Sequence, residues 1–141
     1  MNEQEIQRKL IYLQQLQGEA ENLQRRIVEM ELLLSEYNKT LETLEFFNSI
    51  DGSVEVLMNL GGGVFAYVDV KENKKFLIDI GAGIVAEREV SEAIEFIKSR
   101  IAKVEDTIQK ASAALRGIVE EATKIQNELA SYKEESDVQK P

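Results

Sequence analysis

The 141-residue sequence predicts an α+β fold, in which a long antiparallel coiled-coil hairpin carries two β-hairpins between its helices. Three observations support this prediction. Apolar residues recur every three or four positions in both outer parts of the chain, which is the pattern of a coiled coil. Apolar and polar residues alternate in the middle, which is the pattern of strands. Two glycine clusters, at residues 61–63 and 81–83, divide this middle part into hairpins.

The first coiled-coil helix is predicted over residues 1–47. From Leu16 to Leu44, the apolar residues follow alternating steps of four and three, which gives four uninterrupted heptads. A strict 3.5-residue period over this length indicates a left-handed coiled coil. Leu13, Leu10 and Ile6 extend the stripe toward the N-terminus, with one irregular step between residues 13 and 16.

The second coiled-coil helix is predicted over residues 91–134. Its apolar stripe runs from Val90 to Tyr132 with alternating steps of four and three, for six heptads without interruption. The segment that follows, residues 135–141, is charged and ends in proline. Because such a segment has little apolar surface to bury, we expect it to be a disordered tail.

The two apolar stripes are complementary when they are aligned antiparallel. Leu44 then faces Ile94, and their residue numbers add to 138. The residue numbers of each further facing pair have the same sum, as far as Leu13 with Ile125. Each Ala of one stripe faces a Leu or Ile of the other, which keeps the volume of the layers even. Two unrelated coiled coils would have no reason to show a constant sum. The sequence therefore predicts one hairpin within a single chain.

Residues 53–89 are predicted to form four short strands in two β-hairpins. Each glycine cluster is followed by a strand and not by a helix, so we interpret the glycines as turns and not as a phosphate-binding loop. Strands this short cannot bury both faces and leave their edges unpaired. We therefore expect them to form an oligomerisation body, in which strands from several chains close into β-barrels. The residues predicted to mediate oligomerisation are Val56, Met58, Phe65, Tyr67, Val68, Phe76, Ile78 and Ile80.

The composition argues against catalysis and against nucleic-acid binding. The chain contains no Cys and no His, which removes thiolate nucleophiles, Ser-His-Asp triads and the commonest metal ligands. We expect the protein not to be an enzyme and to have no catalytic residue, no cofactor and no metal. The net charge of −9 opposes binding to nucleic acid. The N-terminus lacks the features of a signal peptide and no apolar run is long enough for a bilayer, so we expect a cytoplasmic protein without a membrane partner.

The full-length order of elements resembles the prefoldin family, and in particular its archaeal α-type subunits. The stretch FLIDIGAGIVAERE, followed by the helix start SEAIEFIKSRI, resembles the second hairpin and second helix of those subunits. VLMNLGGGVFAYV is similar to their first hairpin, although it departs from the family pattern at residues 58–60.

The resemblance implies a hexamer of two α-type and four β-type subunits, with the β-hairpins forming a body of barrels. It also implies an ATP-independent chaperone, or holdase, that captures unfolded client proteins at the coiled-coil tips and passes them to a group II chaperonin. The client-binding residues expected near the helix ends are Ile6, Leu10, Ile11, Tyr12, Leu13, Ile125, Leu129 and Tyr132. The alternative is a structural coiled-coil protein that assembles into filaments or rings through its strands.

Overall fold

The structure is a computed structural model that describes residues 2–139, with side chains described for residues 2–133. Its elements, in chain order, are α1 (Glu3–Ser49), β1 (Val54–Gly61), β2 (Val64–Val70), β3 (Lys75–Gly81), β4 (Ile84–Glu89) and α2 (Val90–Gln139). The predicted order of a helix, two β-hairpins and a second helix is confirmed. Helix α2 continues to Gln139, five residues beyond the predicted end at residue 134, and so overlaps the tail predicted for residues 135–141. Residues 140 and 141 lie outside the described residues, and the disorder of the tail stays a prediction.

The chain divides into two compact units, one of residues 1–33 with 104–141 and one of residues 34–103. In the first unit, the N-terminal part of α1 lies beside the C-terminal part of α2, as the ion pair between Lys9 and Glu128 shows. The seam is the set of facing heptad positions between these helices. Its side chains are less exposed than their neighbours, and those of Leu16 and Ile125 are buried.

The seam differs from the predicted stripe at one position near the N-terminus. Leu10 is 46% exposed, whereas Lys9 is half-buried. The spacing from Ile6 through Lys9 and Leu13 to Leu16 alternates three and four, so the heptad continues unbroken through the lysine. The step from Leu13 to Leu16, predicted to be irregular, is therefore regular, and the prediction that placed Leu10 in the seam is wrong. A lysine fits this position because its aliphatic stem covers apolar surface while its ammonium group reaches the carboxylate of Glu128.

The second unit has its core where the C-terminal end of α1 meets the N-terminal end of α2. Leu44 and Ile94, a pair that the constant sum predicts to face each other, are both 7% exposed and belong to one buried cluster. Strand β3 covers this cluster with Phe76 and Ile78. The side chain of Phe76 also lies against the ring of Phe47, with 5.6 Å between the ring centroids.

The strands form two separate antiparallel sheets of two strands each, β1–β2 and β3–β4. The glycines at positions 61–63, 81 and 83 all have positive φ, which agrees with the interpretation of both clusters as hairpin turns. Both hairpins use the same side-chain bond before the turn. The Asn59 side chain accepts a hydrogen bond from the amide of Gly61 at 2.8 Å, and the Asp79 side chain accepts one from Gly81 at 2.9 Å.

Candidate functional site

The described residues bring no metal-binding cluster together. Among them, no group of three or more acidic side chains could hold a metal ion. No helix in this part of the chain is long and apolar enough to cross a membrane. The features that remain are exposed apolar side chains. These mark interaction surfaces in folded proteins when they occur as patches.

The first apolar surface is the exposed face of the two β-hairpins, which we define as Leu57, Phe65, Tyr67, Leu77 and Val85. Leu57 lies opposite Tyr67 in the register of the first hairpin. In the second hairpin, Leu77 and Val85 lie on the side opposite to Phe76 and Ile78. All five side chains are between 58% and 77% exposed. A two-stranded hairpin is marginal in water, so large apolar side chains on its free face favour contact with another chain.

The structure separates the residues predicted to mediate oligomerisation into three groups. Met58, Phe65, Tyr67 and Ile80 are exposed. Val56 and Val68 are half-buried and lie opposite each other in the first hairpin. Phe76 and Ile78 pack on the core formed by the helices of the same chain. The contacts of these last two residues within the chain account for their burial.

Leu57, Leu77 and Val85 are not among the residues predicted to mediate oligomerisation, although the structure leaves all three exposed. The signal for them was present in the sequence, because these three residues make the strands apolar on their second face as well. In the structure, the face of β3 that carries Phe76 and Ile78 packs on the helices. Strand periodicity separates the two faces of a strand but does not show which of them packs on the helices.

A groove of about 330 Å³ lies beside β3, between this strand and the two helices of the second unit. Its floor is apolar, with Leu44, Ile97 and Phe96 among the lining residues. Arg100 lies at the groove with its guanidinium carbon 4.5 Å from the centroid of the Phe96 ring, and it donates hydrogen bonds to the Tyr37 hydroxyl at 3.3 Å and the Asp79 carbonyl oxygen at 3.4 Å. The groove can hold apolar side chains.

The second apolar surface lies near the N-terminal end of α1. Leu10, Ile11 and Tyr12 are consecutive and are 46%, 57% and 44% exposed. Successive residues of an α-helix are about 100° apart around its axis, so these three side chains cover a broad part of the circumference of α1. We call residues 6–13 and 125–132 the tip, and residues 10–12 its exposed patch.

The other predicted client-binding residues of the tip are covered to different degrees. Ile6, Leu13, Leu129 and Tyr132 are half-buried in the seam, and Ile125 is 5% exposed. The exposed patch is therefore available in the closed helix pair, whereas Ile125 would require the seam to open.

An ion pair closes the seam within the tip. The Lys9 ammonium donates a hydrogen bond to the Glu128 carboxylate. This hydrogen bond, helped by the positive charge of the same lysine, lowers the pKa of Glu128 from its ordinary value of 4.5. The Glu128 carboxyl group is accordingly charged at neutral pH. The pair links α1 to α2 next to the exposed patch.

Two long helices with two β-hairpins between them define a class of α+β proteins built on a coiled-coil hairpin. A family model described as "Prefoldin subunit" matches residues 16–135. The chain is 62% identical to a Prefoldin subunit alpha of Archaeoglobus fulgidus, over 92% of this chain and 95% of that protein. It is 31% identical to the Prefoldin subunit alpha of Methanocorpusculum labreanum, over 90% and 86% of the two chains. The chain belongs to the prefoldin family, and the resemblance to its archaeal α-type subunits is confirmed.

The fold also agrees with a solved structure of the family. A cryo-EM structure of filamentous PFD from Methanocaldococcus jannaschii superposes with a TM-score of 0.67 at 21% identity, and the match covers 84% of this chain and 96% of that one. Prefoldin is a family of chaperones and not a class of enzymes. Its α subunits form oligomeric assemblies with other prefoldin subunits.

Proposed function

We propose that this chain is the α subunit of a cytoplasmic, ATP-independent holdase, which captures unfolded proteins at its tip and passes them to a group II chaperonin. The observation that carries the proposal is the exposed patch of Leu10, Ile11 and Tyr12. Three consecutive exposed apolar residues on a helix lower solubility unless they bind something. Unfolded proteins offer the matching chemistry, because their apolar side chains are accessible.

Weak binding at each tip is sufficient for this function. A patch of three side chains buries too little area for tight binding to one site. Several tips in one assembly bind the same unfolded chain together, which raises the overall affinity without any new contact at each site. Tyr12 suits varied clients because its ring is apolar and its hydroxyl forms hydrogen bonds.

We assign assembly with other subunits to the exposed face of the β-hairpins. Burial of Leu57, Tyr67 and Leu77 between chains would remove large apolar side chains from water, and closure of strands into a barrel would satisfy their free edges. The assembly partners are β-type subunits, in a hexamer of two α-type and four β-type chains. No nucleotide, metal or other cofactor takes part.

The test is to replace the patch with serine, as Leu10→Ser, Ile11→Ser and Tyr12→Ser in one chain. The matched control is Val28→Ser with Leu32→Ser, which removes exposed apolar side chains from α1 outside the tip (55% and 64% exposed). Each chain is assembled with a β-type partner and mixed with a denatured client, and aggregation is followed by light scattering. We expect the patch variant to assemble and to lose most of the protection, while the control keeps it. Full protection by the patch variant, or equal loss in the control, would overturn the proposal.

The second candidate function is a structural protein that assembles into filaments or rings through its strands. The observation that favours it is the likeness to the filamentous PFD of M. jannaschii. This function requires the exposed faces of the hairpins but not the patch at the tip. Electron microscopy of the chain alone separates the two functions. Filaments that form equally well from the wild type and the patch variant, without client protection by either, would favour the structural role.

A further inference from the structure

The segment between the two hairpins, residues 71–74, contacts the ends of both helices. The amide of Val90, the first residue of α2, donates a hydrogen bond to the Lys74 carbonyl oxygen at 2.8 Å. The Asn73 side chain, which is 3% exposed, donates one to the carbonyl oxygen of Gly52 at 2.6 Å, just beyond the end of α1. These bonds connect residues that lie 16 and 21 positions apart in the sequence.

The Lys74 side chain completes this junction at the C-terminal end of α1. Its ammonium donates hydrogen bonds to the carbonyl oxygens of Phe47 at 2.7 Å, Asn48 at 3.3 Å and Ile50 at 2.6 Å. An ammonium group has three N–H donors, so all three are used here. The acceptors include carbonyl groups that the end of a helix leaves without intrahelical partners.

The positive charge of Lys74, like its N–H donors, suits a position at the C-terminal end of α1. The last turn of α1 contains no basic residue of its own. The C-terminal end of a helix carries partial negative charge, which a cation stabilises. A hydrogen bond from a charged donor is also about twice as strong as a neutral one. Lys74 therefore supplies from the segment between the hairpins the cation that α1 itself lacks.

The backbone around Lys74 is fixed independently of its side chain. The Glu72 carboxylate accepts hydrogen bonds from the amides of Lys74 and Lys75, both at 3.0 Å. This local turn holds the backbone of Lys74 at a position from which its ammonium reaches the end of α1. Each of the three residues from Glu72 to Lys74 thus contributes a different contact to one junction.

We infer that Lys74 is a positioning residue, which fixes the direction in which the first β-hairpin leaves the helix pair. Lys74 is not itself among the side chains proposed to meet other subunits. It acts through the first hairpin, whose exposed face can meet other subunits only when its orientation is constant. The inference rests on the proposed assembly role of the hairpins for its effect on oligomers, but its effect on hairpin orientation is independent of that role.

The test uses spin labels in the full-length chain. The sequence contains no Cys, so Glu45→Cys on α1 and Asp69→Cys on β2 provide the only two thiols, both at exposed positions. The distance between the labels is measured by pulsed EPR in the wild-type background and with Lys74→Met, Lys74→Arg and, as a control, Lys71→Met at an exposed lysine of the same segment. Native mass spectrometry with a β-type partner gives the oligomeric state of the same chains.

We expect a single narrow distance distribution for the wild type, Lys74→Arg and Lys71→Met, and loss of that narrow distribution for Lys74→Met. A merely stabilising role would lower the melting temperature and leave the distribution of the folded chain unchanged, which would overturn the inference. If Lys74→Met does not fold, Lys74→Gln, which keeps two N–H donors without the charge, takes its place. Failure of the wild type to assemble would contradict the proposed function and leave the distance measurement as a valid test of Lys74.

Discussion

The exposed face of the second β-hairpin gives a prediction that separates assembly from folding. Leu77 is 75% exposed on this face, whereas the neighbouring Ile78 packs on the core of helices α1 and α2. We therefore expect Leu77→Lys to weaken assembly and to leave the single chain folded. Ile78→Lys is expected to destabilise the fold itself, because its charge would replace a side chain of that core.

The size of the effect follows from the two environments of Leu77. In the free chain, a substitution at a position this exposed changes the free energy of unfolding by about 0.5 kcal/mol or less. In the assembly, the variant loses about 2 kcal/mol for burial of the leucine side chain, and the lysine charge adds a desolvation cost of at least ~1 kcal/mol. A loss of about 3 kcal/mol corresponds to an increase of roughly 100-fold in the dissociation constant.

Sedimentation analysis over a range of concentrations measures this dissociation constant, and circular dichroism reports the helix content and melting temperature. Leu77→Met, which keeps an apolar side chain of similar volume, is the matched control and is expected to assemble like the wild type. An unchanged dissociation constant for Leu77→Lys would refute the assignment of this face to assembly. Loss of helix content in Leu77→Lys would show that Leu77 belongs to the core of the chain.

Two further predictions concern the second turn and the tip. Ala82 has a φ of 52°, a conformation that costs a non-glycine residue about 1–2 kcal/mol. Ala82→Gly is therefore expected to raise the free energy of unfolding by about 1 kcal/mol in a urea titration. Ala86→Gly, in the regular strand β4, should lower the free energy of unfolding. The pKa of Glu128 is lowered by Lys9, so the stabilisation from this pair is present above pH 4.5 and is lost as the pH falls below that value. Glu128→Gln should therefore melt at a lower temperature than the wild type at about pH 7, and the difference should shrink toward about pH 3; a difference that stays constant with pH would contradict this.

Much of the fold could be predicted because the two periodicities are strong and long. The alternating steps from Leu16 to Leu44 and from Val90 to Tyr132 leave little room for any structure except a coiled coil. The constant sum of facing residue numbers then indicated an intramolecular hairpin. The ion pair of Lys9 with Glu128 and the shared core of Leu44 and Ile94 are consistent with it.

The remaining features depend on contacts that hydrophobicity patterns do not report. Lys9 was not recognised as a seam residue because a lysine counts as polar, although its stem is apolar. No sequence pattern marks Lys74 as a junction residue, because its partners are backbone carbonyl oxygens, which every residue has. The repeated pattern of Asn59 and Asp79, each two residues before a glycine, could have revealed the shared turn geometry of the hairpins.

Site-specific photo-crosslinking reports directly whether unfolded proteins bind at the proposed site, the tip. A photoreactive phenylalanine analogue is placed at Ile11 in the exposed patch or at Leu32 on the same helix, which are 57% and 64% exposed. Each chain is assembled with a β-type partner, mixed with a denatured client and irradiated. We expect client crosslinks from position 11 and few or none from position 32. Equal crosslinking at both positions, or crosslinks from position 32 alone, would contradict binding at the tip.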